Sequence, residues 1–210
     1  MLRKSIAVVA SRRDRNHLKR EENIAVSKLI KTNYFVLTGA MGSGKSTLIR
    51  EIKKAGIRCV AEPAREILAE QRAIESDGVP EQNSELFCKL MLSRALQNYS
   101  QGMNGSEVQV FDRGIPDMIA YAELFSIDLT SFYRVSDQNR YNPRVFFFEG
   151  WPEIYTNDSE RKISFEGARM FGESVRSIYQ KLGYQLLNVP FQSIEERTNF
   201  ILERLHDSTE

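Results

Sequence analysis

Near residue 40 the sequence contains glycines, a lysine and a serine at the spacing of a phosphate-binding loop. The segment reads Gly39-Ala40-Met41-Gly42-Ser43-Gly44-Lys45-Ser46 and fits the pattern G-x-x-x-x-G-K-[ST] in full. Its glycines let successive backbone N–H groups face phosphate oxygens, and the following helix adds the positive end of its dipole. Lys45 would contact the β- and γ-phosphates, and Ser46 would ligate Mg²⁺. The predicted nucleotide-binding residues are Gly39, Gly42, Ser43, Gly44, Lys45, Ser46 and Thr47.

Two carboxylates close apolar segments that have the length of buried strands. Asp112 follows Val108–Phe111, and Glu62 follows Arg58–Ala61. Both could lie at a nucleotide site, because ligands of open parallel sheets bind beyond the carboxyl ends of the strands. Asp112 fits a carboxylate that holds Mg²⁺ directly or through water, although it could also be an ordinary turn residue.

Glu62 is the candidate general base. It could accept the proton of an attacking hydroxyl or water as that oxygen approaches the γ-phosphate. The alternative is structural, since the helix dipole favours a carboxylate just before a helix, and Pro63 suits the first helical position. Arg113 could hold an anionic substrate or position Glu62, or it could simply pair with a carboxylate.

A polar, turn-rich segment, Glu149 to Lys162, follows the apolar residues that end at Phe148. Such a lid segment can close over phosphates and bring an arginine to the charge that develops in phosphoryl transfer. Arg161 is the first candidate for that arginine and Arg169 the second. For either of them the alternative is a solvated surface side chain.

The sequence contains little information about which nucleotide base the protein recognises. No Asn-Lys-x-Asp element follows a late strand, so the device that reads guanine in GTPases is missing from the sequence. We therefore expect ATP as the nucleotide and regard GTP as the weaker alternative. Val189-Pro190-Phe191, after the last predicted strand, could support a purine ring.

The elements that must position these residues follow an alternating pattern. Short apolar segments alternate with longer helical patterns, which is typical of a parallel sheet covered by helices. The predicted strands are Tyr34–Leu37, Arg58–Ala61, Glu107–Phe111, Arg144–Phe148 and Tyr184–Val189. The predicted helices are Lys45–Ala55, Pro63–Glu75, Ser84–Ser100, Pro116–Phe125, Ser164–Leu182 and Ile194–Leu205. This order predicts an α/β fold of three layers, α/β/α, with a five-stranded parallel sheet.

Charge is unevenly distributed along the 210 residues. Residues 1–33 hold nine of the 29 Lys and Arg but only three of the 28 Asp and Glu. We predict a basic N-terminal extension over residues 1–33 and one nucleotide-binding domain over residues 34–207. The extension could attract an anionic or protein partner, or it could be a solvated, partly helical segment.

The composition predicts a soluble, cytoplasmic protein. Cys59 and Cys88 lie far apart in apolar segments and indicate neither a zinc cluster nor a disulfide framework. No apolar stretch approaches the roughly 18 residues of a membrane span. The opening Met1–Ala10 is too short in its apolar part for an export signal and meets Arg12 and Arg13, although an Arg-rich transit peptide stays an alternative.

With these motifs the sequence resembles a family of small P-loop proteins with AAA-like ATPase domains. That family is related to nicotinamide riboside kinases and, more distantly, to deoxynucleoside and thymidylate kinases. The resemblance spans about residues 34–205 and is carried by residues 38–47, 61–66, 111–117 and 151–155. It implies strand order 2-3-1-4-5, with the Asp112 strand beside the phosphate-loop strand, and a Glu-Pro pair near the substrate, a role that would fall on Glu62.

The sequence thus predicts an ATP- and Mg²⁺-dependent phosphotransferase for a small hydroxyl-bearing acceptor of the nucleoside or riboside class. Its catalytic residues would be Lys45, Glu62, Asp112 and Arg161, with Ser46 and Asp112 at the metal and Arg113 and Asp117 as tentative substrate contacts. One alternative is a regulatory switch that slowly hydrolyses ATP or GTP while its basic front end engages a partner. Another is nucleotide binding alone, and the oligomeric state is not indicated.

Overall fold

A central sheet of parallel strands carries the phosphate-binding loop. The computed structural model describes residues 28–102, 107–156 and 163–206. Its strands are β1 (Leu29–Ile30), β2 (Tyr34–Gly39), β3 (Arg58–Val60), β4 (Gln109–Asp112), β5 (Asn139–Arg140), β6 (Arg144–Phe148) and β7 (Gln185–Asn188). The central sheet has the order β3-β4-β2-β6-β7, and its pairings are parallel. The predicted α/β class with a five-stranded parallel sheet is confirmed.

The strand order differs from the prediction only in numbering, because the short strands β1 and β5 pair separately. Counted among the five strands of the central sheet, the order is 2-3-1-4-5. The strand of Asp112 therefore lies beside the strand that leads into the phosphate loop. Gly39 of β2 is paired with Phe148 of β6, so these two strands end level, and Asp112 ends β4 two residues earlier, opposite Leu37.

Seven α-helices are present in the described residues, and six of them agree with the predicted helices to within a few residues. They are α1 (Lys45–Lys54), α2 (Pro63–Ala73), α3 (Pro80–Ser100), α4 (Ile115–Leu124), α5 (Thr130–Gln138), α6 (Phe165–Lys181) and α7 (Ile194–His206). None of them combines the length and apolar composition that crossing a bilayer requires.

Two apolar cores cover the faces of the sheet. Because side chains alternate along a strand, Tyr34 and Val36 of β2 join one core, and Phe35 and Leu37 join the other. The first core packs against α3, α4 and α6, and the second against α1 and α7. All six residues of β2 are buried, as expected for a central strand with helices on both faces.

The start of α3 and the whole of α5 depart from the prediction. Helix α3 begins at Pro80, but its backbone leaves helical geometry at Asn83 (φ −143°, ψ 79°), whose side chain accepts from the Leu86 N–H at 3.0 Å. The predicted start at Ser84 thus marks the second part of this helix. Helix α5 was missed because its nine residues are fewer than the roughly 11–18 over which a helical period is read from sequence, and only Phe132, Tyr133 and Val135 among them are apolar.

Residues just before β2 belong to the folded body. Strand β1 pairs with β5, and the Tyr99 hydroxyl donates to the carbonyl of Leu29 at 2.8 Å. Lys28 forms an exposed ion pair with Asp137 at 2.7 Å. The boundary placed at residue 33 stays a prediction, and residues 28–33 contact the domain that was assigned to residues 34–207.

Gly39, at the end of β2, can be tested by substitution. Its φ is +122°, and a Cβ built there would lie 2.1 Å from the carbonyl oxygen of Phe148. We expect Gly39→Ala to lower the free energy of unfolding by about 3 kcal/mol, because both the backbone strain and the contact with a fixed strand oppose it. Urea unfolding followed by circular dichroism measures this loss.

The matched control is Gly56→Ala. Gly56 also has a positive φ, +84°, but nothing lies within 4 Å of its added Cβ. Only the left-handed conformation opposes this change, at a cost of about 1 kcal/mol. Equal losses for the two variants would contradict the role given to the close approach of Gly39 to β6.

Candidate active site

The phosphate-binding loop is closed by hydrogen bonds of its own. Gly42 (φ 73°) and Gly44 (φ 86°) adopt left-handed conformations that favour glycine. The Ser43 hydroxyl donates to the Ala40 carbonyl at 2.8 Å, and the Lys45 ammonium donates to the same oxygen at 2.6 Å. Ala40 N–H in turn donates to Phe148 of β6 at 2.9 Å, which holds the loop on the sheet. Ser46 and Thr47 follow in the first turn of α1, and Ser46 is exposed.

Lys45 is buried among charged groups. Burial and, next, the positive charge of Arg113 lower the pKa of Lys45 to about 7, while Asp112 and Glu62 act in the opposite direction. Arg113, which pairs with Glu62, donates to the Gly39 carbonyl, next to the Ala40 carbonyl that accepts from Lys45. The fold therefore brings together Lys45, Glu62, Asp112 and Arg113, which the sequence analysis selected separately.

Asp112 ends β4 with a carboxylate that the protein does not fully satisfy. Its Oδ1 is buried and, among the described residues, has no hydrogen-bond partner. Burial, and then the negative charge of Glu62, raise the pKa of Asp112 to about 6. Such an oxygen fits a hard cation like Mg²⁺, which in phosphate-binding sites takes one or two carboxylates together with substrate phosphates and water. Ser46 would supply the hydroxyl ligand that the motif predicts.

The described residues contain no group of three or more His, Cys, Asp or Glu side chains that could hold a metal by themselves. A cation at Asp112 would thus depend on the phosphates of a bound nucleotide to complete its ligands. This agrees with the way in which the loop motif holds Mg²⁺.

Glu62 lies just before α2 and is held by two neighbours. Its Oε1 accepts from the Tyr121 hydroxyl at 2.7 Å and forms an ion pair with Arg113 Nε at 2.8 Å. Burial alone would raise the pKa of Glu62, but Arg113 and the Tyr121 hydroxyl outweigh it and the pKa lies below its ordinary value. The carboxylate is therefore ionised at neutral pH. Within the described part of the chain its partners all meet Oε1, so Oε2 is available to a ligand.

Arg113 connects Glu62 to the phosphate loop. It adopts φ +66°, which is uncommon for a residue other than glycine, and only 5% of it is exposed. Its Nη1 donates to the Gly39 carbonyl at 3.1 Å and to Asp117 Oδ1 at 2.9 Å. Of the alternatives considered for Arg113, the geometry favours the one in which it positions Glu62.

Asp117 lies beneath the site and is fully buried. Its Oδ1 accepts from the Thr38 hydroxyl and from Arg113, and its Oδ2 accepts from the Gly114 N–H at 2.9 Å and the Tyr179 hydroxyl at 2.6 Å. With both oxygens occupied by four donors, Asp117 has a positioning role. Contact with substrate, by Asp117 or by Arg113, stays a prediction.

A cleft opens between α3, α4 and the carboxyl ends of β3 and β4. It is narrow, with a cavity volume of about 10 Å³, and Asn98, Arg113 and Met118 are among its lining residues. The cleft lies next to Glu62, because Ala61 and Pro63 on either side of that residue also line it.

The predicted lid segment is described only in part. Residues 152–154 form a short 3-10 helix, and the Tyr155 hydroxyl donates to the carbonyl of Ile163. Arg161, the first candidate for a catalytic arginine, lies outside the described residues. Arg169, the second, is 47% exposed at its side chain and pairs with Glu166 at 2.7 Å, at the start of α6.

Sequence reasoning missed three contributors to the site. The Tyr121 hydroxyl donates to Glu62. In the sequence, only the position of Tyr121 on the helix that follows Asp112 points to such a contact. Arg197 of α7 contacts the phosphate loop from 154 residues away, which no local pattern reveals. Trp151 stacks near Phe191, with ring centroids 5.1 Å apart, so the predicted purine-supporting segment has an aromatic neighbour.

The chain matches one protein family and is similar to several solved structures. A family described as an AAA domain matches residues 34–197. No curated protein matches the chain. A structure of deoxyadenosine kinase from M. mycoides with products dCMP and a flexible dCDP bound is similar, with a TM-score of 0.62 at 19% identity over 83% of this chain and 99% of that one.

Two further solved structures show the same similarity. A NadR protein in complex with NR has a TM-score of 0.64 at 18% identity over 99% of this chain, which spans only 60% of that relative. Thymidylate kinase from Ehrlichia chaffeensis has a TM-score of 0.56 at 16% identity over 83% of this chain and 98% of that one. The predicted resemblance is confirmed, and at these identities the similarity of the structures establishes a kinase-like P-loop fold.

Proposed function

This chain belongs to the AAA-domain family, and we propose that it is an ATP- and Mg²⁺-dependent phosphotransferase acting on a small hydroxyl-bearing molecule of the nucleoside or riboside class. The observation that carries the proposal is the environment of Glu62. Its carboxylate is ionised, fixed through one oxygen and available through the other, beside Lys45 and the narrow cleft.

The similar solved structures favour transfer over hydrolysis as the main reaction. A protein that only hydrolyses ATP positions one water molecule, whereas a kinase also binds an acceptor, for which the narrow cleft beside Glu62 would have to widen. Similar structures include a deoxyadenosine kinase and a NadR protein in complex with NR. These relatives support an acceptor of nucleoside or riboside type for the present chain.

In the proposed reaction the acceptor hydroxyl attacks the γ-phosphorus of ATP. A bond forms between the acceptor oxygen and phosphorus, the bond from phosphorus to the β,γ-bridging oxygen breaks, and ADP leaves with that oxygen. Glu62 Oε2 accepts the hydroxyl proton. Lys45 and the N–H groups of the loop stabilise the charge on the transferred group.

Mg²⁺, held by Ser46 and Asp112, would neutralise charge on the β- and γ-phosphates. The remaining task of the protein is to orient the reacting groups. Arg113 and Tyr121 fix Glu62 from two sides, and Asp117 fixes Arg113 in turn. Holding a base and an acceptor in one geometry removes part of the entropic barrier to the reaction.

The proposal is tested by following transfer of the γ-phosphate from labelled ATP to a panel of nucleosides, ribosides and sugars. We expect one chemical class to be phosphorylated by the wild-type protein, with no transfer by Lys45→Ala. Release of phosphate to water alone across the whole panel would contradict the kinase proposal and favour the slow hydrolase or switch.

Proton uptake on nucleotide binding gives a further prediction. With a pKa of about 7, Lys45 is only about half protonated at pH 7 in the free protein. Bound phosphates favour the charged ammonium and raise its pKa, so ATP binding takes up about half a proton at pH 7 and nearly one at pH 8. The affinity for ATP should accordingly fall as pH rises above 7.

Isothermal titration calorimetry in two buffers of different ionisation enthalpy measures this uptake. Lys45→Arg is the matched control, because a guanidinium stays charged throughout this range and leaves only the protons of the nucleotide itself. The same uptake in both proteins would show that Lys45 is already fully protonated before ATP binds.

A further inference from the structure

Arg197 of α7 is a buried cation that touches the outer side of the phosphate loop. Only 4% of the residue is exposed, and its Nη2 donates to the backbone carbonyl of Ser43 at 3.0 Å. A Cβ added to Gly44 would lie 3.0 Å from Nη1 of the same side chain. The guanidinium therefore lies directly against the Ser43–Gly44 peptide.

Among the described residues Arg197 has no carboxylate partner. Its charged carbon lies 5.3 Å from the ring centre of Phe148 and 5.1 Å from that of Trp151, and its Nε is buried without a hydrogen bond. Arg113, the other buried arginine of the site, pairs with Glu62 and Asp117. A buried charge without a counter-ion is costly, so an anion that binds nearby is favoured.

The contact of Arg197 with the Ser43 carbonyl also determines the direction of the Gly44 N–H, because both groups belong to one peptide bond. In a planar trans peptide the carbonyl oxygen and the following N–H point in opposite directions. A donor that holds the Ser43 carbonyl on the outer side therefore turns the Gly44 N–H toward the inner side, where the loop motif binds phosphate. Arg197 thus fixes one donor of the phosphate cradle before any nucleotide arrives.

We propose that Arg197 is a positioning residue for polyphosphate binding. It holds the Ser43–Gly44 peptide in the orientation that binds phosphate, and the bound polyphosphate balances its charge. This inference rests on the nucleotide binding in the proposed function, but it does not require phosphate transfer. It also explains why a helix at the far end of the sequence packs its arginine onto the loop.

The experiment compares dissociation constants for ATP and for inorganic tripolyphosphate, both with Mg²⁺, in the wild-type protein and in Arg197→Met. We expect both constants to rise by a similar factor, about tenfold to a hundredfold, because a displaced phosphate donor affects the phosphates whether or not a base is attached. Arg197→Lys should recover part of the affinity, since it retains the charge but loses the planar fork.

The matched control is Arg204→Met on the same helix. The Arg204 guanidinium stacks on Phe200, 3.7 Å from the ring centre, and donates to the carbonyl of that residue. This substitution removes an arginine that packs on an aromatic ring of α7 and should leave both dissociation constants within about twofold of the wild-type values. Urea unfolding of each variant confirms that the folded state is populated in the binding experiment.

Three results would overturn the inference. A loss of ATP affinity with unchanged tripolyphosphate affinity would show that Arg197 acts on the base, near Trp151 and Phe191. An equal loss in Arg204→Met, or full affinity in Arg197→Met, would show that the contact with Ser43 is only structural. Wild-type protein that binds neither probe would refute this inference and the proposed function together, whereas binding without transfer to any acceptor would refute only the proposed function.

Discussion

Replacing Glu62 with Gln is expected to lower turnover by about a hundredfold to ten-thousandfold and to leave the dissociation constant for ATP within about threefold of the wild-type value. The amide keeps the shape of the side chain but cannot accept the proton of the acceptor hydroxyl. Its carbonyl oxygen can still accept from Tyr121, as Oε1 does in the wild-type protein at 2.7 Å. In this variant, turnover should therefore fall while the affinity for ATP stays nearly unchanged.

The measurement is a steady-state rate with the acceptor found in the transfer screen, together with calorimetric titration of ATP. Glu66→Gln is the matched control, because Glu66 lies one helical turn further along α2 and pairs with Arg94 at the surface, at 3.1 Å. That variant should retain wild-type turnover. Full activity in Glu62→Gln would exclude Glu62 as the base and leave it the helix-start role that the sequence also allowed.

Replacing Arg113 with Met is expected to lower the free energy of unfolding by about 3–5 kcal/mol. Arg113 is nearly inaccessible to solvent and lies between two carboxylates, 2.8 Å from Glu62 and 2.9 Å from Asp117. Methionine fills much of the space but leaves both carboxylates buried without their cation. The uncompensated charges, rather than the lost volume, account for most of the expected loss.

The pH dependence of this loss identifies its cause. Without the cation, burial holds the pKa of the Glu62 carboxyl in the folded state above its value in the unfolded state, so this group opposes folding at high pH and the penalty is relieved as pH falls. The difference between wild type and Arg113→Met should thus be smaller at pH 5 than at pH 8. Urea unfolding at the two pH values measures it.

Two further variants sharpen the result. Arg94→Met removes two exposed ion pairs, with Glu66 and Glu70, and should cost less than about 1 kcal/mol. Asp117→Asn combined with Arg113→Met should be less destabilising than the sum of the single changes, because one of the two uncompensated carboxylates is then absent. Equal losses for Arg113→Met and Arg94→Met would contradict the network described here.

The sequence was most informative where chemistry depends on local spacing. The residues from Gly39 to Ser46 need only their order and a strand–loop–helix context to form a phosphate loop, and the fold supplies that context. Asp112 and Glu62 were found because parallel strands place their carboxyl ends on one edge. Each of these predictions follows from a single element and its direction.

The remaining contributors depend on contacts between elements that are distant in the sequence. Arg197 acts on Ser43, and Tyr121 acts on Glu62 from the helix after the next strand. Asp117 was predicted as a tentative substrate contact, and its position after Asp112 does not reveal that Thr38 and Tyr179 enclose it. Periodicity shows which face of a helix is apolar, but it does not show which polar side chain lies beneath a neighbouring loop.

The position of the small sheet formed by β1 and β5 determines which side of the protein faces a surface or fusion partner joined at Lys28. It lies by the amino-terminal end of β2, since three residues separate Ile30 from Tyr34, whereas the phosphate loop follows the other end of that strand. At about 3.3 Å per residue these two ends are about 17 Å apart. A surface or fusion partner joined directly to Lys28 would therefore meet the body on the side away from the phosphate loop and leave the nucleotide site open in a binding assay.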